Sequence, residues 1–136
     1  MSKMKYGYTI ENLPETLVVP DQEIYTKFLL GKNTLVSFIE VKAGADFPMH
    51  SHECEQILII LEGEEHHIID GEEIILRAGD VCVHPPHVLH GGHPGPDGYK
   101  GIDIFAAPRD SHVDLMREQG TLPDENGNYP GYKETK

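Results

Sequence analysis

At 136 residues the chain can close one hydrophobic core but has no room for a second catalytic module, so a single domain over 1–136 is expected. Its formal net charge of −12, with only Arg77, Arg109 and Arg117 as arginines, argues against a nucleic-acid or membrane-surface partner, because phosphates must be met by Lys and Arg. No apolar stretch reaches transmembrane length and Met1–Lys5 runs into Tyr6-Gly-Tyr-Thr-Ile without a signal-peptide core, which reads as a cytoplasmic protein with free thiols at Cys54 and Cys82.

Residues 23–30 and 34–42 carry strand-like runs around Gly31-Lys32-Asn33 and predict a hairpin. In the next segment, strand alternation places His50, His52, Cys54 and Gln56 on one face and Ser51, Glu53 and Glu55 on the other. Ile57 to Leu61 is continuously apolar, as in a strand covered on both faces. Two imidazoles and an amide in a row at the mouth of an apolar interior form a metal-binding pattern. Parity leaves Cys54 between inert packing and ligation of a soft metal.

Segments 64–70 and 72–76 meet at Asp70-Gly71, a strong hairpin signal, and at most one of the neighbouring His66 and His67 can face inward. After Arg77-Ala-Gly79-Asp80 the chain turns into Val81–His84, and Pro85-Pro86-His87 then leads to a third imidazole, His90. The run His93–Gly98 reads as a loop, and Tyr99 to Ala106 as a strand on which Tyr99, Gly101, Asp103 and Phe105 share a face. One helix is expected, capped by Ser111 with Asp114 three residues later and closed by Gly120. Residues 121–136 lack periodicity and read as an extended arm or frayed tail, while His84, His87, His93 and His112 read as turn or surface groups. Many short strands separated by turn residues argue an all-β jelly-roll barrel.

Two motifs make this more specific. Gly44, His50, His52, Gln56 and Gly63 keep every spacing of G-x5-H-x-H-x3-E-x6-G, with Gln in place of Glu. Gly79, Pro85, His87, His90 and Pro94 follow G-x5-P-x-G-x2-H-x3-N, with the inner Gly and the final Asn replaced. Together they resemble the cupin superfamily, which implies a barrel core over about 20–108, a helix and arm over 109–136, and a homodimer as the commonest state. The replacement of Gly by His87 is tolerable because His enters φ > 0 conformations more readily than most residues.

The ligand set His50, His52, Gln56 and His90 suits one divalent transition metal, with Zn, Fe, Mn and Ni all admitted. Neutral Gln56 leaves that site one positive charge richer than a carboxylate would, which favours polarisation of a bound oxygen. The run Asp103-x-Phe105-x-x-Pro108-Arg109 is similar to the end of the barrel in small cupins that linearise unsaturated uronates from pectin or alginate. That resemblance implies a substrate pocket lined by Asp103, Phe105 and Arg109, a carboxylate substrate and a place in sugar acid metabolism. Asp103 would move a proton, Phe105 form a wall, and Arg109 clasp the carboxylate. Bland roles compete: a cross-sheet pair for Asp103, core packing for Phe105, and for Arg109 a tie to the helix through Asp110 or Asp114. Two other functions stay open, an iron-dependent dioxygenase and a non-catalytic ligand-binding cupin.

Overall fold

The computed structural model describes residues 3–134. Eight antiparallel strands are found among them: β1 (Glu15–Val19), β2 (Ile24–Leu30), β3 (Leu35–Val41), β4 (Phe47–His50), β5 (Glu55–Ile69), β6 (Glu72–Arg77), β7 (Val81–His84) and β8 (His90–Ala106). A single α-helix, α1 (Asp110–Gln119), follows them. The strand order is β1-β2-β3-β8-β5-β6, with β4 on β8 and β7 on β5. This is the expected all-β jelly-roll architecture.

The two longest strands organise everything else. β5 and β8 pair along most of their lengths, from Glu55↔Ala106 to Ile69↔His90. The first half of β5 also carries β7 and its second half β6, while β8 carries β4 near its start and β3 near its end. Between the halves the ladder slips at Ile60/Glu62 and again at Gly63/Glu65. Such bulges bend a strand and reset which residues point inward. Before the slip the buried positions of β5 are Gln56, Leu58 and Ile60; after it they are Glu65 and His67. Gly63 is required at this bend, since its φ is 79° and a Cβ there would stand 2.2 Å from the Gly98 carbonyl oxygen.

Three sequence expectations need correction. His93–Gly98 is not a loop but the middle of β8, held by pairs such as His66↔His93 and Glu65↔Pro94. β1, which no sequence signal marked, pairs with β2. The C-terminal arm is anchored rather than frayed: Tyr129 is 5% exposed and packs with Leu13, Phe28, Leu35, Phe105 and Met116.

The helix differs in its first turn. It starts at Asp110 after Arg109, and no side chain caps it. The Ser111 hydroxyl is committed elsewhere, accepting from Arg109 Nε at 3.1 Å. Its end is as expected: Gly120 adopts φ 70° and Thr121 N donates to Met116 O over 2.8 Å, a Schellman-type closure. A second apolar cluster, built on Ile24, Ile39, Val41, Leu58, Ile60, Leu76, Cys82 and Tyr99, fills the other end of the barrel.

Candidate functional site

An interior cavity of about 320 Å³ is lined by His50, Gln56, His90, Asp103, Phe105 and Arg109 among others. The residues singled out by alternation and spacing therefore converge, although not by the expected route. β4 ends at His50 and β5 begins at Glu55, so His52 reaches the site from a bend between strands. Cys54 packs beside the Phe105 cluster with its Sγ 3.4 Å from His52 Nδ1. The two motifs are tied by the backbone, because His87 N donates to His52 O at 2.8 Å. His87 itself adopts φ 67°, the conformation its place in the motif requires.

The three imidazoles lie against one another, with ring centroids 4.3 Å apart for His50–His90, 4.9 Å for His52–His90 and 5.7 Å for His50–His52. Each Nδ1 meets a backbone carbonyl two residues away: Pro48 O at 2.7 Å for His50, Cys54 O at 2.8 Å for His52 and Val88 O at 2.9 Å for His90. Donation there fixes the tautomer and leaves three Nε2 lone pairs directed inward. His90 Nε2 is buried with no hydrogen-bond partner.

Gln56 completes the set. Its Nε2 donates to Asp103 Oδ1 over 2.7 Å, which leaves Oε1 facing His52 Nε2 at 3.0 Å. Both of those atoms are acceptors, so the contact is not a satisfied hydrogen bond. Two donor atoms each ~2.1 Å from one ion, seen at about a right angle, would stand ~3.0 Å apart. The orphaned His90 nitrogen and this opposed pair fit a cation held by His50, His52, Gln56 and His90.

Protonation states agree with that fit. Burial lowers His50 and His52 from the ordinary imidazole value and, with the neighbouring imidazoles, takes His90 down to about 4, so these imidazoles are neutral at pH 7. Burial pushes Asp103 up to about 7 against the opposing hydrogen bond from Gln56. Arg109 aims its guanidinium past Phe105, 5.8 Å from the ring centroid, and its Nη1 donates to His112 Nε2 at 3.2 Å. Asp114 is paired with Arg117, so Arg109 meets the helix through Ser111 and His112 instead.

A cupin-domain family model matches residues 37–95. A solved cupin-like protein from Thermotoga maritima is 32% identical, over 61% of this chain and 68% of its own, with a TM-score of 0.57. The chain belongs to the cupin superfamily. An RmlC-like cupin from Shewanella frigidimarina shares 27% identity over 82% of this chain and its whole length, at a TM-score of 0.72. The structure of KdgF from Halomonas sp., at 24% identity over 80% of this chain and 99% of its own, has the same fold with a TM-score of 0.71. No curated protein matches the chain.

Residues outside the motifs also face the interior of this cupin. His112, expected at the surface, lines the cavity and sits 5.2 Å from both the Phe28 and Phe105 rings, measured between centroids. His84, likewise expected in a turn, is completely buried and stacks on His90 with centroids 4.2 Å apart. Of the adjacent pair on β5, His67 is the inward one. His66 lies in an outward pairing with Glu64 and a stack on His93. Strand parity could have flagged His84 through Cys82, but no count of residues locates the slip that turns Glu65 and His67 inward.

Proposed function

We propose that this cupin is a metal-dependent enzyme acting on a small anionic sugar acid, opening and ketonising an unsaturated uronate. The observation that carries the reading is the Asp103 carboxyl, buried in the cavity and hydrogen-bonded to the amide of Gln56. His50, His52, Gln56 and His90 would hold the divalent ion, which supplies Lewis-acid polarisation of a substrate oxygen.

The remaining chemistry belongs to the chain itself. A carboxyl poised near neutrality can both accept and return a proton, which is what moving hydrogen between an enol oxygen and the adjacent carbon needs. Gln56 orients that carboxyl through its Nε2. Arg109 offers its remaining N–H donors to a substrate carboxylate, with Phe105 and His112 forming the wall beside it. The cavity accommodates one small molecule rather than a chain of sugars. An acidic protein repels an anionic substrate at long range, so the local cation and Arg109 must supply the attraction. The resemblance of the Asp-x-Phe-x-x-Pro-Arg run to uronate-linearising cupins supports the same substrate class.

The test is loss of the unsaturated chromophore when metal-loaded protein meets an unsaturated uronate monomer. Loss with the parent and little with Asp103→Asn is expected. Unchanged absorbance with fully metallated protein would overturn the reading.

A further inference from the structure

At the cavity wall, where Glu65 and His67 also line it, begins a second polar cluster that the proposed reaction does not use. His67 on β5 and Cys82 and His84 on β7 are 3%, 8% and 0% exposed. Each presents a possible ligand atom, and all of these lie within 4.8 Å of one another. His67 Nε2 and His84 Nε2 face each other at 2.5 Å. Glu65 Oε1 stands 2.9 Å from His67 Nδ1 on the far side of that ring, near but out of line, so neither atom completes a hydrogen bond. The Nδ1 of His84 is buried without a hydrogen-bond partner.

We propose that His67, Cys82 and His84 form a second metal site, selective for Zn²⁺ and separate from the ion held by His50, His52, Gln56 and His90. Three features argue for it. Cys82 and His84 alternate inward on one strand, so β7 presents both to His67 without distortion. Placing Zn²⁺ between the facing nitrogens requires the rings to part by less than ~1 Å, given Zn–N bonds of ~2.0–2.1 Å. The same ring movement would bring the orphaned His67 Nδ1 into line with the orphaned Glu65 Oε1, giving the carboxylate–histidine–metal arrangement that fixes a ligand ring and raises its basicity.

Charge decides between the two sites. Three neutral imidazoles and an amide leave the full charge of a dication at the first. At the second, the Cys82 thiolate and the Glu65 carboxylate cancel it. Since His84 stacks directly on His90, only a self-neutralised ion is tolerable so close to the first in a buried region. The thiolate also makes the second site the softer one and favours zinc there.

Full-length protein stripped with chelator and reloaded with Zn²⁺ or Co²⁺ tests this without reading turnover, so failure of the sugar-acid reading leaves the result intact. Two metal equivalents per chain are expected, and the Co²⁺ form should show a near-ultraviolet thiolate-to-cobalt charge-transfer band. Cys82→Ser should lose that band and one equivalent. A His50→Ala/His52→Ala variant should lose the other equivalent and keep the band, whereas Cys54→Ser, which removes the thiol beside the first site, should keep both equivalents and the band. One equivalent and no thiolate band in the parent protein would overturn the proposal, whatever the folding of the variants. A band that follows Cys54 would overturn it equally.

Discussion

Gln56 and Asp103 share one hydrogen bond, 2.7 Å from Nε2 to Oδ1, that joins the proposed metal-ligand set to the buried carboxyl proposed to move the proton. The amide is used at both ends: its nitrogen is taken by Asp103, and its oxygen is thereby aimed at the space between the imidazoles. Orientation of a ligand and placement of an acid–base group are one arrangement here, which makes them separable by substitution at Asp103.

Asp103→Asn keeps an acceptor oxygen for Gln56 but removes the proton-carrying carboxyl. Metal content should therefore stay at the parent level while kcat falls ~10²-fold or more, the usual worth of a general acid–base group. Asp103→Leu should in addition loosen the metal, because the Gln56 amide would be left buried with one donor unsatisfied. Metal analysis beside turnover separates the two, and equal metal loss in both variants would refute the division of labour.

Binding of an ion to the folded chain alone must raise its stability. At a free metal concentration 100 times the dissociation constant the gain is ~2.7 kcal/mol, or roughly 10 °C in Tm for a domain of this size. His90→Ala deletes the buried ligand with the orphaned Nε2 and should abolish the part of that gain belonging to the first site. Thermal melts of apo and loaded forms check it; a parent protein whose Tm ignores metal and chelator alike would count against the ligand set.

Arg109 is held by Ser111 through Nε and by His112 through Nη1, so its fork is fixed before substrate arrives. Arg109→Lys keeps the charge but loses the paired donors. A rise in KM of ~10-fold or more is expected, about 1.4 kcal/mol per decade of affinity, with a smaller change in kcat. His112→Phe should move KM the same way to a lesser degree by removing the acceptor for Nη1. A KM untouched by Arg109→Lys would assign this residue to the helix alone.

How far such roles can be read from sequence depends on the kind of contact. The inward face of Tyr99, Asp103 and Phe105 follows from alternation, and the φ of His87 from its place in a motif. Convergence of His50, His52, Gln56 and His90 also follows from motif spacing, even though residues 51–54 bend instead of continuing a strand. Glu65 and His67 are different, because a slip in the β5–β8 ladder changes parity, and a slip is a property of the pair of strands. Pro94, Gly95 and Pro96 suggest a loop by their local preferences, yet Pro94 pairs with Glu65 and the residues after it fall in the slip of the same ladder. The C-terminal arm carries no periodicity because its anchors are distant, as when Tyr129 meets Leu30.

That anchor supports a stability prediction. Tyr129 Oη accepts from Leu30 N at 2.7 Å, and its ring meets Tyr8 edge-on at 5.4 Å between centroids. Tyr129→Phe, which keeps the ring, should cost about 1 kcal/mol for the lost acceptor. Tyr129→Ala should cost about 3–5 kcal/mol through the cavity it leaves. Denaturant unfolding that ranks the two equally would show that the arm contributes little beyond the hydrogen bond.

The turn preceding Tyr129 should carry a pH signature of its own. Asp124 Oδ1 accepts from Asn128 N at 3.0 Å and Asn126 N at 2.9 Å, and Oδ2 accepts from Asn128 Nδ2 at 3.2 Å. These bonds, those from Asn128 foremost, hold the carboxyl below its ordinary value. A pKa depressed by folding adds stability that is present above the unfolded carboxylate value of about 3.9 and is lost as pH falls through the folded value. Asp124→Ala should thus melt below the parent at pH 6, and the gap should narrow steadily below about pH 4 as the parent's carboxyl takes up its proton. The turn also receives Tyr8 Oη on the Gly127 carbonyl at 2.7 Å, so its loosening should register in the near-ultraviolet circular dichroism of the tyrosines. A gap of constant size from pH 6 to pH 2.5 would mean that the side chain acts by packing and not by its charge.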